Sequence, residues 1–500
     1  MIIWCVSLSV FAQGHEIKIS INCQSDTVLL GHYFAKRDGN SFYLSGTCTL
    51  DKKGRGVFKG ENKLSKGVYF LVTKNQLLMD FVIGDNQSFE IIADTIDLVG
   101  TATAKNSRDN EMFFDYRRIS RKTGLRQHEL HQKLQTADSI SKVEIYKELQ
   151  ALNLEHATNL WNMIEGSKGL YVQKYLNSQL PLMMRLPVAD PHPWQASLPE
   201  NAQTWSRDSL IMYSRWWYRS NFFSDFNIFD PDMLRNSSYE EKLMIYITKT
   251  IPQATDSICA EIDKILRKAQ KNDEVFRCVL VILFNYYSQS KVVIYENITV
   301  HLVEKWYIPF STWSSDESLE SLKEFVANSK PRLFELAPAI EPLLILPPEH
   351  FRAAALDTAI KFDIYAGKVI HDFRKELKSK YTILYFWDYS CGHCKKGIQD
   401  LFHAWEELKD TYLQIITVQV VHTKEAKGKW IDFVNEHNMY SWINAWSPYA
   451  YSYENHYKET YHLSSTPKMF LLDENSTIIL KNIGPEHLKE IIDNIIIPSL

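Results

Sequence analysis

The sequence predicts a multi-domain chain in three parts: an N-terminal all-β sandwich, a central all-α domain and a C-terminal α/β fold. Three observations carry this. Short alternating strands separated by turn residues fill residues 15–105. Apolar residues then recur at three- and four-residue steps, the spacing of one helix face. From about residue 351 strands and helices alternate, and Cys391-Gly392-His393-Cys394 stands at a strand-to-helix junction. The expected bounds are 14–105, 106–345 and 350–500, with 1–13 ahead of them. A length of 500 residues allows roughly two to four domains. A composition 45% hydrophobic and 13% aromatic is ample for large cores.

Composition also excludes. A net charge of −4 without a basic run gives no reason to expect a nucleic-acid partner. No apolar run reaches the length of a membrane-spanning helix. Seven cysteines in a chain of this length are not a disulfide scaffold, and none of the five outside the motif has metal-ligand spacing, so no metal is expected. Nothing points to a flavin, nucleotide or other cofactor, since no glycine-rich phosphate loop sits in a strand–helix setting. Cys23, Cys48, Cys259 and Cys278 read as small buried hydrophobes, with a Cys23–Cys48 disulfide as the alternative. The first residues form a short apolar run ending Val10-Phe11-Ala12-Gln13, which has the small residues of a signal-peptidase site but lacks a basic start. A clipped signal peptide over 1–13 is expected, and a first strand is the alternative. Export places the chain where disulfides persist, in the periplasm or cell envelope.

In the first part, strands are expected at 15–21, 27–33, 55–60, 67–72 and 78–83. Turn residues at 36–40, 51–54 and 84–86 separate them, the spacing of a β-sandwich. No catalytic constellation appears there; a docking surface and a spacer are equally open readings. In the second part, Ile145, Leu149, Leu152, His156, Leu160 and Met163 share one helix face, which makes His156 a packing residue. Residues 259–266, 275–283 and 300–306 read as further helices. Residues 213–229 hold eight aromatic residues, expected as core or as a seam, with a grip on unfolded polypeptide as the alternative. Arg215 and Arg219, four apart, either flank a carboxylate-bearing partner or lie on a solvated face. Leu344-Ile345-Leu346-Pro347-Pro348-Glu349-His350 reads as the linker to the third part, because two adjacent prolines favour an extended spacer.

The third part carries the chemistry. Tyr381-Thr382-Ile383-Leu384-Tyr385-Phe386-Trp387 is a buried strand, and 395–408 is the helix after the motif. A hairpin is expected at 363–370, a buried strand at 412–421, a helix at 427–438, a hairpin across 468–480 and a last helix at 486–496. In Cys391-x-x-Cys394 the two sulfurs lie about one helical turn apart, close enough for a disulfide. Cys391 sits at the helix N-terminus, where unpaired N–H groups and the positive dipole end favour a thiolate. Cys391 is thus expected to attack a substrate disulfide and Cys394 to resolve the mixed disulfide. A protonated His393 between them would favour the Cys391 thiolate further.

Phe386-Trp387 before Cys391-Gly392-His393-Cys394-Lys395-Lys396, Ser465-Thr466-Pro467 entering a later strand, and Leu471-Leu472-Asp473 after it together resemble the thioredoxin superfamily, specifically exported TlpA-like thiol-disulfide oxidoreductases. The resemblance covers 351–500. It implies a thioredoxin-like fold and a catalytic set of Cys391, Cys394, His393 and Pro467, with Pro467 cis beside the dithiol. It also implies Thr466 and Trp387 as substrate-binding residues. Its expected partners are proteins with disulfides and a membrane-linked thiol electron donor. Gly-His between the cysteines is also the dipeptide of protein disulfide isomerase, which points to an intermediate reduction potential. Three positions depart from the family: Tyr385 where thioredoxin has a buried Asp, Gly397 where TlpA-like proteins often carry Glu, and Gln399 where Pro is usual. The carboxylates that help deprotonate the resolving cysteine are therefore missing, and Asp388, Asp400 and His393 are the nearby candidates. The function expected is an exported thiol-disulfide oxidoreductase, reductase or isomerase, acting on protein disulfides. The alternative is an envelope binding or assembly factor with a secondary redox module.

Overall fold

The structure, a computed structural model, describes residues 14–22, 25–36, 42–73, 76–180, 193–290, 292, 294–340, 343–363, 367–408, 412–421, 423–447, 457–463, 465–481, 484 and 487. The expected signal segment, Cys5, Cys23 with its alternative disulfide, and the last helix at 486–496 apart from residue 487 lie outside them. The chain divides into two compact units, Met1–Asn285 and Tyr286–Leu500.

The first unit opens with two four-stranded sheets. Its strands are β1 (His15–Asn22), β2 (Thr27–His32), β3 (Tyr43–Thr49), β4 (Arg55–Gly60), β5 (Gly67–Val72), β6 (Leu77–Ile83), β7 (Ser88–Asp94) and β8 (Thr103–Lys105). The orders are β4-β1-β7-β8 and β3-β2-β5-β6. Alternation explains the layering: on β1, Ile17, Ile19 and Ile21 are buried while Lys18 faces water. The sandwich expected from the sequence is present, with β3, β7 and β8 added. β7 was legible, since Phe89, Ile91 and Ala93 alternate inward. β3 was not, because Tyr-Leu-Ser-Gly-Thr-Cys-Thr has little apolar alternation.

The core does not break at 105/106. The cluster that fills the sandwich continues through Met112, Phe113, Leu160, Ile164, Val172 and Leu176 on the helices Arg108–Thr136, Ser139–Gly166 and Tyr171–Gln179. The buried Asn110 amide locks the junction: its oxygen accepts the Val82 N–H at 2.8 Å and its NH₂ donates to the Val82 carbonyl at 2.9 Å. Buried polar groups persist only when paired in this way. His156 is half-buried and lies 3.3 Å from Thr123 Oγ1, a packing role as its helix face predicts. Cys48 and Cys278 are buried, while Cys259 is half-buried. In the aromatic stretch, Trp217, Phe222 and Phe226 are core, but Trp216 is 52% exposed.

The second unit begins with helices, among them Tyr295–Leu302 and Asp316–Asn328, and continues into a seven-stranded sheet. The strands are β9 (Leu343–Ile345), β10 (Lys368–Ile370), β11 (Tyr381–Trp387), β12 (Leu413–Gln419), β13 (Ile443–Trp446), β14 (Lys468–Asp473) and β15 (Ile478–Lys481), in the order β10-β9-β13-β12-β11-β14-β15. β11 lies inside the sheet, parallel to β12 and antiparallel to β14. All seven of its residues are buried, because both faces are covered. Ile383, Tyr385 and Trp387 face the helices Gly392–Leu408 and Lys424–Glu436; Leu384 and Phe386 lie on the other face, beside Phe470 of β14, and pack with Tyr457 and Tyr461.

The expected linker is corrected here. Leu343 and Leu344 are fully buried, and β9 pairs with both β10 and β13. The two prolines do not extend the chain. They start the helix Pro348–Leu356, where Pro348 occupies a first-turn position that has no N–H partner to lose. Of the expected hairpin at 363–370, residues 364–366 lie outside the described set, and the described strand β10 pairs with β9. Among the described residues no helix is long and apolar enough to cross a membrane.

Candidate active site

β11 delivers the chain to a tight turn at its C-terminal end. The Asp388 carboxylate accepts hydrogen bonds from the Ser390 N–H and the Ser390 hydroxyl, both at 2.8 Å, and the Cys391 N–H donates to the Asp388 carbonyl at 3.1 Å. That turn places Cys391 immediately before the helix Gly392–Leu408. Asp388 is thereby a turn cap, as short acidic side chains often are.

Cys391 is half-exposed, and its Sγ accepts the Cys394 backbone N–H at 3.3 Å. An N–H of the first helical turn, with no partner within the helix, thus points at the sulfur. On its other side Sγ lies 3.7 Å from the Thr466 carbonyl oxygen. The Thr466–Pro467 bond is cis, as the resemblance implied, and both residues are half-buried beside the dithiol. A second cis bond, Lys330–Pro331, had no counterpart in the sequence reading.

Cys394 is fully buried beneath Cys391. Burial pushes its thiol up to about 12, while the Asp388 backbone and the Thr466 hydroxyl pull modestly the other way. The position of the missing carboxylate holds Tyr385, fully buried, whose hydroxyl donates to the Cys394 carbonyl at 3.2 Å. The phenol therefore secures the helix backbone at Cys394 and offers no base. Gly397 is buried, Gln399 exposed and Asp400 half-exposed. Among the described residues no carboxylate hydrogen-bonds either sulfur.

His393, between the two cysteines, is exposed, and so are Lys395 and Lys396 after them. Trp387 is fully buried and packs on Phe433, ring centroids 5.1 Å apart, which makes it a wall under the site. The physical reason is that β11 is covered on both faces to its last residue. Sequence reasoning missed Phe433, Lys429 and Gln419. Phe433 is stacked on His437 at 4.0 Å, and Lys429 Nζ lies 5.8 Å over the Tyr389 ring. Gln419 pairs in register with Trp387 and is fully buried. The apolar spacing of Trp430, Phe433 and Val434 was the available signal for Phe433.

A family model described as thioredoxin-like matches residues 379–478. A sporulation thiol-disulfide oxidoreductase A of Bacillus subtilis (strain 168) is 27% identical over 116 residues, which is 23% of this chain and 67% of that protein. Among solved structures, a thioredoxin-like protein from Bacteroides caccae is 13% identical with a TM-score of 0.33, covering 59% of this chain and 96% of that one. A domain of a possible thiol-disulfide isomerase from Cytophaga hutchinsonii is 22% identical with a TM-score of 0.24, covering 33% and 97%.

Proposed function

We propose that the C-terminal part of this chain, whose residues 379–478 match a thioredoxin-like family model, exchanges disulfides with proteins in the periplasm or cell envelope through Cys391 and Cys394. One observation carries the reading: a half-exposed Cys391 sulfur at a helix start receives the Cys394 N–H, with Cys394 buried behind it. A thiolate is the nucleophile of disulfide exchange, and this position favours one.

The Cys391 thiolate attacks one sulfur of a substrate disulfide and expels the other as a thiolate. Cys394 loses its proton and attacks the Cys391 sulfur of the mixed disulfide. The second substrate thiolate leaves, and the two electrons of the Cys391/Cys394 dithiol have passed to the substrate. The resulting Cys391–Cys394 disulfide is reduced again by a thiol donor, for which a membrane-linked protein is the proposed source. Thr466 and Pro467 line the approach to Cys391, and Thr466 offers backbone groups to an extended substrate strand. The burial of Cys394 argues that it reacts only with the mixed disulfide next to it. An envelope location is supported by the redox logic alone, since disulfides persist there.

The test is the reduction potential of the couple against glutathione, with Cys391→Ser as control. A value near about −270 mV marks a reductase, and one of about −180 to −120 mV an isomerase or oxidant with His393 as the cause. A Cys394→Ser variant should accumulate mixed disulfides with client proteins. Absence of an exchangeable couple would sink the enzyme reading and leave the envelope binding factor.

A further inference from the structure

The first unit carries a cleft of about 340 Å³ that the dithiol chemistry does not use. Its floor is an aromatic array: Tyr246 and Phe223 lie 4.8 Å apart between centroids, and Phe223 meets Phe229 edge-on at 5.9 Å. Trp216 forms one rim and is 52% exposed, which is unusual for the largest apolar side chain. The opposite wall is one face of the helix Thr255–Ala269, with Glu261, Lys264, Ile265 and Lys268 at helical spacing.

The charges are not balanced. Both Glu261 oxygens are occupied, one by Lys264 Nζ at 2.8 Å and the other by the Tyr246 hydroxyl at 3.2 Å. Burial, reinforced by Glu261, pushes the Tyr246 phenol up to about 12, so it remains a neutral donor. Glu261 is thus neutralised from within the wall. Arg219 and Lys268 are left over. Among the described residues neither has an ion-pair partner, and Lys268 only hovers 5.5 Å over the Phe229 ring. An aromatic floor between two uncompensated cations matches a ligand that is apolar at its centre and anionic at its edge.

We propose that this cleft binds an acidic polypeptide segment, seating an apolar or aromatic side chain on Tyr246, Phe223 and Phe229 and placing a neighbouring carboxylate between Arg219 and Lys268. Trp216 covers the seated side chain. The pair Arg215 and Arg219, which the sequence left open, divides accordingly: Arg219 lines the cleft and Arg215 does not.

The probe is the peptide acetyl-Asp-Phe-Asp-Leu-Asp-amide, titrated calorimetrically into the full-length protein. Its controls are the Asn analogue, acetyl-Asn-Phe-Asn-Leu-Asn-amide, and free N-acetylphenylalanine. The expected result is that the acidic peptide binds about tenfold or more tighter than the Asn analogue and weakens as salt rises from about 50 to about 300 mM. The double substitution Arg219→Gln with Lys268→Gln should remove about tenfold of the affinity, while Arg219→Lys with Lys268→Arg retains it. Both residues are outside the core, so an unchanged melting temperature checks folding. Binding by Cys391→Ser/Cys394→Ser should equal that of the unsubstituted protein, which separates this site from the redox reading. Equal affinity for the two peptides, an unaffected double glutamine variant, no binding, or binding of N-acetylphenylalanine alone would each overturn the proposal.

Discussion

At the residue scale, the two cysteines of one motif live in opposite environments three positions apart. Cys391 meets solvent, a helix N–H and a carbonyl; Cys394 is sealed off, with its thiol pushed up to about 12 by burial. The sign of the pH effect follows. An unfolded thiol ionises near pH 8.5, whereas the folded Cys394 keeps its proton well beyond that. The unfolded chain therefore binds fewer protons in that window, and this group's contribution to stability falls as pH rises from about 8.5 towards 12. Urea unfolding of the reduced protein at a series of pH values should show the stability difference from Cys394→Ala shrinking with pH; a constant difference would remove Cys394 as the titrating group. Tyr385→Phe deletes the hydroxyl bonded to the Cys394 carbonyl and should cost about 1 kcal/mol of stability. If Tyr385 supplied the base for Cys394, the same variant would instead slow the release of mixed disulfide by orders of magnitude. The structure makes it a positioning residue, so that rate should change little in stopped-flow exchange.

At the element scale, the site depends on two helices packed on one face of the sheet. The helix Lys424–Glu436 brings Phe433 against Trp387, and its start is capped by Thr423, whose hydroxyl accepts the Ala426 N–H at 3.1 Å. Thr423→Ala should cost about 1 kcal/mol by denaturant titration and leave the reduction potential unchanged. A shifted potential would mean that the cap steers the dithiol itself. β11 and the motif helix were legible because seven buried residues followed by Cys-x-x-Cys admit few other structures. The short strands β9, β10 and β13 were not. Segments of three or four residues carry no usable period, and β9 was further disguised by the prolines that follow it.

At the scale of the whole molecule, the compact units meet in sequence at 285/286, far from the prolines that suggested a linker. A fragment of residues 286–500 keeps β9 and its core and should fold cooperatively in thermal unfolding. A fragment beginning at residue 350 lacks β9, which strips Leu343 and Leu344 from the core and bares the edges of β10 and β13. Unpaired edges of that kind promote aggregation, so the shorter fragment should be insoluble or melt without cooperativity. Equal stability of the two would show β9 to be dispensable.

The sequence by itself determined the β–α–α/β order of parts, the dithiol and its helix, and the residue pair Thr466-Pro467 that meets it. Each is written locally, in alternation, helical period or a short motif with one structural setting. Only the tertiary structure decided where the cores begin and end, that Tyr385 and Asp388 serve the backbone, that Trp387 is fully buried, and that Arg219 and Lys268 line one cleft with Phe223, Phe229 and Tyr246. Those are facts about which distant segments cover one another, and burial is set by the covering partner, whose position no local pattern encodes.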